Sequence, residues 1–128
     1  MKSLRAAWRL LRVLVHLVSG AWTIRRRFGA LDFEQRQQQV QAWSRRLLEL
    51  IGVRLLVHGE LPVGGPLLVL ANHISWLDII VIDAALPCRF VSKADVRHWP
   101  LIGQLVEGSG TLFIERDRRR HAMRVVHQ

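Results

Sequence analysis

The stretch Leu67-Leu68-Val69-Leu70-Ala71-Asn72-His73-Ile74-Ser75-Trp76-Leu77-Asp78 decides how the chain is read. Leu67 to Ala71 form a continuous apolar run, introduced by the turn Gly64-Gly65-Pro66. Such a run has the length and character of a strand buried on both faces. A helix is expected to follow from near Ser75 to Leu86, where Pro87 stops it. The flanking sequence continues the alternation. Val53 to His58 reads as a strand, Arg89 to Ser92 as a short strand, Leu101 to Glu107 as a helix and Thr111 to Glu115 as a further strand. Arg118 to His127 begins another helix. Strands alternating with helices imply an α/β domain around a mainly parallel sheet.

Open α/β sheets hold their ligands at the carboxyl ends of strands, which is where Asn72 and His73 fall. His73 and Asp78 are five residues apart, a separation that sets them on different faces of a regular helix or strand. They meet only if His73 sits in the turn before the helix and Asp78 in its first turn, with Ser75 as N-cap. Ser75-x-x-Asp78 is also an ordinary acidic capping box, and the spacing alone is weak evidence for chemistry. The chemical reading is a His–Asp dyad. The carboxylate fixes the imidazole tautomer, and the other ring nitrogen takes a proton from a hydroxyl. No serine or cysteine nucleophile is needed if the hydroxyl belongs to the substrate.

The 128 residues point to one domain, and a 50% apolar, 23% charged composition excludes a disordered chain. A single cysteine, Cys88, excludes a disulfide scaffold and suits a reduced thiol. There is no glycine-rich phosphate loop and no His/Cys cluster of metal-binding spacing, so neither cofactor nor metal is expected. Of the net charge of +9, seven charges lie in residues 1–27 (Lys2, Arg5, Arg9, Arg12, Arg25, Arg26, Arg27), which hold no acid. The body of the chain is thus close to neutral, and nucleic acid is not an expected partner.

Arg5, Arg9, Arg12, His16, Ser19 and Thr23 recur at helical spacing on an otherwise apolar segment with Trp8 and Trp22 near its ends. That pattern fits a helix lying in a membrane interface, with arginines among anionic headgroups. A signal peptide fits less well, because Arg12 and His16 interrupt the apolar stretch and three arginines follow it. A spanning helix would need roughly 20 apolar residues, more than Val13 to Ile24 supplies. A second helix is expected from Phe33 to Ile51, opened by Asp32 with Gln35 and closed by Gly52. Its glutamines read as a solvated face. Residues 1–52 therefore form a two-helix membrane anchor in this reading.

A second cluster, Gly110-Thr111-Leu112-Phe113-Ile114-Glu115-Arg116, follows His73 by 37 residues. Asn72-His73-x-Ser75-Trp76-x-Asp78 and Gly110-x-x-Phe113-Ile114-x-Arg116 together resemble the first two motifs of the glycerolipid acyltransferase family, bacterial 1-acyl-glycerol-3-phosphate acyltransferases in particular. Phe90-Val91-Ser92-Lys93 and Trp99-Pro100-Leu101-Ile102-Gly103 look like the same family, so the resemblance covers about residues 53–128.

The resemblance implies that His73 is the general base for a lysophospholipid hydroxyl and that Asp78 orients it. The donor is then acyl-CoA or acyl-carrier protein, and the first-choice acceptor is lysophosphatidic acid, with lyso-ornithine lipid as the alternative. Arg116 is expected to bind the acceptor phosphate, Gly110 to let the backbone pass close to it, and Lys93 to contribute to anion binding. The family's Pro-Glu-Gly-Thr-type third motif and its later apolar-Pro motif do not occur here. The sequence is accordingly expected to be a truncated copy, in which residues 53–128 are the N-terminal part of a catalytic domain. A catalytically inactive membrane-bound fragment is the competing expectation. The expected location is the cytoplasmic face of the bacterial inner membrane, peripheral or monotopic, with the anionic surface met by residues 1–27.

Overall fold

The computed structural model describes residues 2–60, 64 and 66–115. The chain is mostly helical around a small parallel sheet. Helix α1 spans Lys2–Arg27 and α2 spans Phe33–Ile51, joined by a 3-10 turn at Phe28–Ala30. Helix α3 is Trp76–Ala85. Strand β1 (Val91–Lys93) then leads through a 3-10 turn (Ala94–His98) and helix α4 (Ile102–Gly108) into β2 (Leu112–Ile114). The two strands pair in parallel with Val91 opposite Leu112, Ser92 opposite Phe113 and Lys93 opposite Ile114, a β-α-β crossover.

Helix α2 starts and stops where its ends prescribe. Asp32 Oδ1 accepts the Gln35 amide at 2.8 Å, and the Gln35 side chain accepts the Asp32 amide at 3.1 Å. Gly52, at φ 80°, turns the chain off the helix while the Val53 amide reaches back to the Leu48 carbonyl.

The core lies between α2 and α3, with Leu47, Leu48 and Ala84 at its centre. Here α2 also completes α3 electrostatically. The Gln41 amide nitrogen donates to the Ala85 carbonyl at 3.1 Å, and Arg45 Nε donates to the Ala84 carbonyl at 2.8 Å. These are carbonyls that the end of a helix leaves without intrahelical partners. The expectation that the glutamines are a solvated face is corrected for Gln41.

Helix α1 runs antiparallel to α2. His16 and Trp43 stack with centroids 4.9 Å apart and planes 12° from parallel. His16 Nε2 lies 3.0 Å from the Trp43 carbonyl, and Trp43 Nε1 donates to the His16 carbonyl at 3.3 Å. A carbonyl only accepts, so Nε2 carries the proton. His16, a member of the polar stripe of α1, is thus the point where α1 grips α2. A Cβ on Gly20 would strike Trp43, and one on Gly108 would come within 2.5–2.9 Å of the Ile24 side chain. Small residues thus let α1 lie close against both α2 and α4.

Two expected strands are absent. Val53 to His58 and Leu67 to Ala71 run without a ladder among the described residues, and Leu68 and Leu70 are 82% and 86% exposed. A strand exists only through neighbours that take up its N–H and C=O groups, and no strand lies beside this run in the described chain. Among the described residues, the mainly parallel sheet is accordingly one parallel pair. Among the described residues, no helix is long and apolar enough to cross a membrane.

Candidate functional site

The site begins at the end of the apolar run, where the chain turns into α3. Ser75 is in extended conformation as N-cap, and its Oγ accepts the Leu77 amide at 3.3 Å. Asp78, three residues on, turns its side chain back over the helix end. Its Oδ2 accepts both the Ile74 and the Ser75 amides at 2.8 Å. The same oxygen lies 3.4 Å from His73 Nδ1. The capping box and the dyad, which the sequence offers as alternatives, are one arrangement. The cap holds the carboxylate where the imidazole meets it.

These contacts set the electrostatics. The two backbone N–H donors, Ile74 first, hold the Asp78 carboxyl below the usual carboxylate range; His73 acts in the same direction more weakly, and desolvation opposes them. Asp78 is thus a fixed anion beside Nδ1. It favours the tautomer with hydrogen on Nδ1 and leaves the Nε2 lone pair as the base. The 3.4 Å separation is longer than a formed N–H···O bond, and such contacts tighten once substrate is bound. The His73 side chain is about half exposed, open to a substrate hydroxyl. Ile74 and Trp76 beside it are 96% and 63% exposed, so the rim of the site is apolar.

The second cluster is built separately. Gly110 follows α4 at φ 85°, a left-handed conformation that favours glycine. Its carbonyl accepts Arg89 Nε at 2.9 Å, and a Cβ added to it would sit 3.7 Å from that nitrogen. The Arg89 guanidinium is a partner that the sequence does not signal, since Arg89 belongs to no motif. Arg97 joins the cluster as well. It pairs with Glu107 at 2.8 Å and lies over the Phe113 ring at 4.9 Å. Gly103 has no room for a side chain, because a Cβ would run into the Arg97 carbonyl. Just before it, Leu101 takes φ 61°, and the Ile102 amide donates to the Pro100 carbonyl in a tight turn.

The structure brings His73 and Asp78 together. Lys93, exposed at the end of β1, and Gly110 lie on the β-α-β unit. Among the described residues, neither is joined to His73 or Asp78 by a hydrogen bond or ion pair. Arg116 and the helix expected from Arg118 lie outside the described residues. No group of three or more His, Cys, Asp or Glu side chains among the described residues is placed to hold a metal ion.

A second ionisable pair joins Asp83, near the end of α3, to Cys88 just beyond it. Asp83 is 4% exposed, and its Oδ1 has no hydrogen-bond partner. Burial pushes its carboxyl up to about 7, against the opposing Cys88 amide. Burial and the nearby Asp83 push the Cys88 thiol up in turn.

Comparison with known proteins gives the family. The family model described as Acyltransferase matches residues 54–128. Similar relatives include the lyso-ornithine lipid O-acyltransferase of Pseudomonas aeruginosa, 43% identical over 88% of this chain and 44% of that protein. The enzyme of the same name from Rhizobium meliloti is 41% identical over 70% of this chain and 31% of its own length. The 1-acyl-sn-glycerol-3-phosphate acyltransferase of Neisseria meningitidis is 34% identical over 88% of this chain and 44% of that protein. The chain spans less than half the length of these relatives. No solved structure matches. With the family model covering everything from the end of α2 onward, and both motifs inside it, the chain belongs to the acyltransferase family.

Proposed function

We propose that the chain carries the general-base half of an O-acyltransferase that moves a fatty acyl group from a thioester, acyl-CoA or acyl-carrier protein, to the free hydroxyl of a lysolipid. The observation that carries this reading is the His73–Asp78 contact. The imidazole is half exposed, with its Nδ1 side occupied by a carboxylate that two backbone amides hold in place. In the reaction, His73 Nε2 removes the proton of the acceptor hydroxyl as that oxygen attacks the thioester carbonyl. Asp78 stabilises the imidazolium that forms. Collapse of the tetrahedral intermediate breaks the C–S bond, leaves the new ester, and returns the proton from His73 to the departing sulfur. Asp78 already occupies the Ile74 and Ser75 amides, so they do not serve the oxyanion.

Lysophosphatidic acid, giving phosphatidic acid, is one acceptor for this site, and lyso-ornithine lipid is the other. The second is favoured by one observation: each over 88% of the chain, the relative named for lyso-ornithine lipid is 43% identical and the one named for 1-acyl-sn-glycerol-3-phosphate 34%. Arg116 serves either acceptor as the anion-binding group, pairing with a phosphate in one and with the ornithine carboxylate in the other. Lys93 and the backbone at Gly110 belong to the same anion-binding side in this reading. The protein is peripheral or monotopic on the cytoplasmic face of the inner membrane, held by the basic, apolar α1.

The test is acyl transfer from a labelled thioester to each acceptor by the purified chain, with His73→Ala beside it. Product above the His73→Ala rate supports the reading, and the acceptor that gives more product identifies the substrate. Equal rates for the wild type, the variant and buffer refute it for this chain. Liposome binding that weakens with salt and is lost on removal of residues 1–27 supports the membrane location. Salt-insensitive binding without those residues refutes it.

A further inference from the structure

Helices α1 and α2 leave an open groove of about 350 Å³ between their outer turns, and His73 does not line it. Its apolar wall is Trp8, Leu11, Val15 and Leu50; Arg12 from α1 and Arg46 from α2 supply the charge. Trp8, Leu11 and Val15 are more than half exposed, so this wall is unpartnered within the chain. The groove does not close by a simple shift of α1, because the stacked and doubly hydrogen-bonded His16–Trp43 pair fixes the two helices beside it. Arg46 contacts Glu49 at 2.6 Å, with both side chains more than half exposed. An exposed pair of that kind holds its arginine weakly. No acidic residue occurs on α1, where Arg5 and Arg9 precede Arg12 on the same stripe.

We infer that this groove is a site for one anionic phospholipid, distinct from the acceptor site at His73. The phosphate sits between Arg12 and Arg46, and the first part of an acyl chain lies along Trp8, Leu11, Val15 and Leu50. The argument is charge complementarity joined to an apolar wall. Two guanidinium groups on facing helices suit a phosphate. An apolar wall left exposed beside them suits the chain attached to that phosphate. A free phosphate would leave the wall bare, and a zwitterionic lipid would set its ammonium group against two arginines. The site does not depend on acyl transfer, so His73→Ala leaves lipid binding unchanged and the two readings fail separately.

The test titrates the full chain, in neutral detergent micelles, with phosphatidylglycerol brominated on its acyl chains. Bromine quenches nearby tryptophan, and the difference between wild type and Trp8→Phe isolates the signal of Trp8. Saturable quenching of Trp8 is expected. Arg12→Ala with Arg46→Ala should weaken binding about tenfold or more, the loss expected when charge-assisted hydrogen bonds to a phosphate go. Arg25→Ala with Arg27→Ala removes the same charge beyond the groove and should weaken it only about twofold. On the unaltered protein, brominated phosphatidylcholine should quench the total tryptophan fluorescence far less than phosphatidylglycerol, a comparison that needs no variant to fold. Equal loss in the two double variants, equal quenching by the two lipids, or no quenching of Trp8 at saturation overturns the inference.

Discussion

Asp83→Asn separates a buried carboxyl from the rest of the molecule's titration. Asp83 is 4% exposed with one oxygen unpartnered, and its carboxyl is pushed from 3.8 up to about 7 by burial. Between those values the folded chain holds a proton that the unfolded chain releases, so stability falls as pH rises. The sign is opposite to that of a salt-bridged aspartate. The contribution is complete below about pH 4, declines through the interval, and is lost above about pH 7. About three units at 1.36 kcal/mol each give a swing of roughly 4 kcal/mol, a large share of the 5–15 kcal/mol typical of a domain.

Asparagine keeps the shape and removes the ionisation. Its amide leaves a donor unpaired where the protonated acid left a hydroxyl, so at pH 4.5 the variant should be equal to the wild type or about 1 kcal/mol weaker. At pH 8.5 it should be stabler by about 3 kcal/mol. Urea unfolding followed by far-ultraviolet circular dichroism from pH 4.5 to 8.5 measures both. Subtracting the two curves cancels every other titrating group. Parallel curves would refute the reasoning, because they would mean that Asp83 is ionised in the fold.

Four further substitutions probe the site and its supports. Asp78→Asn keeps an acceptor for the Ile74 and Ser75 amides but removes the charge beside His73, and acyl transfer should fall by about 10² to 10⁴ in a single-turnover assay. Ser75→Ala removes the N-cap of α3 and should cost about 1 kcal/mol in urea unfolding. Gly103→Ala drives a Cβ into the Arg97 carbonyl and should cost about 1–3 kcal/mol, read as a lower melting temperature. Gly110→Ala forces a side chain into φ 85° at a cost of about 1–2 kcal/mol. Unchanged stability in either glycine variant would show that the local backbone relaxes freely.

Helices α2 and α3 were legible because each carries its own boundary signals. Asp32 with Gln35 opens α2 and Gly52 closes it, and Ser75 with Asp78 opens α3. The His73–Asp78 meeting was legible for the same reason, since a capping box fixes where its acidic member turns. The strands were less so. Leu67 to Ala71 has the composition of a buried strand, but pairing is a property of neighbours, and no strand lies beside it among the described residues. The side-chain partners between distant elements were illegible. Nothing local marks Arg89 for the Gly110 carbonyl, Gln41 for the end of α3, or His16 for Trp43, because each pair is separated by at least 21 residues and is joined only by packing.

The close fit of α1 on α4 through Gly20 and Gly108 has a mechanical consequence. A helix of 26 residues is a rod about 39 Å long. This rod is clamped to the short helix whose last turn delivers Gly110 and β2. Whatever surface sets the depth and tilt of α1 therefore also sets the height of the second motif above that surface. If α1 lies on a membrane as proposed, it is a gauge of that height, and the two glycines are where the gauge is calibrated.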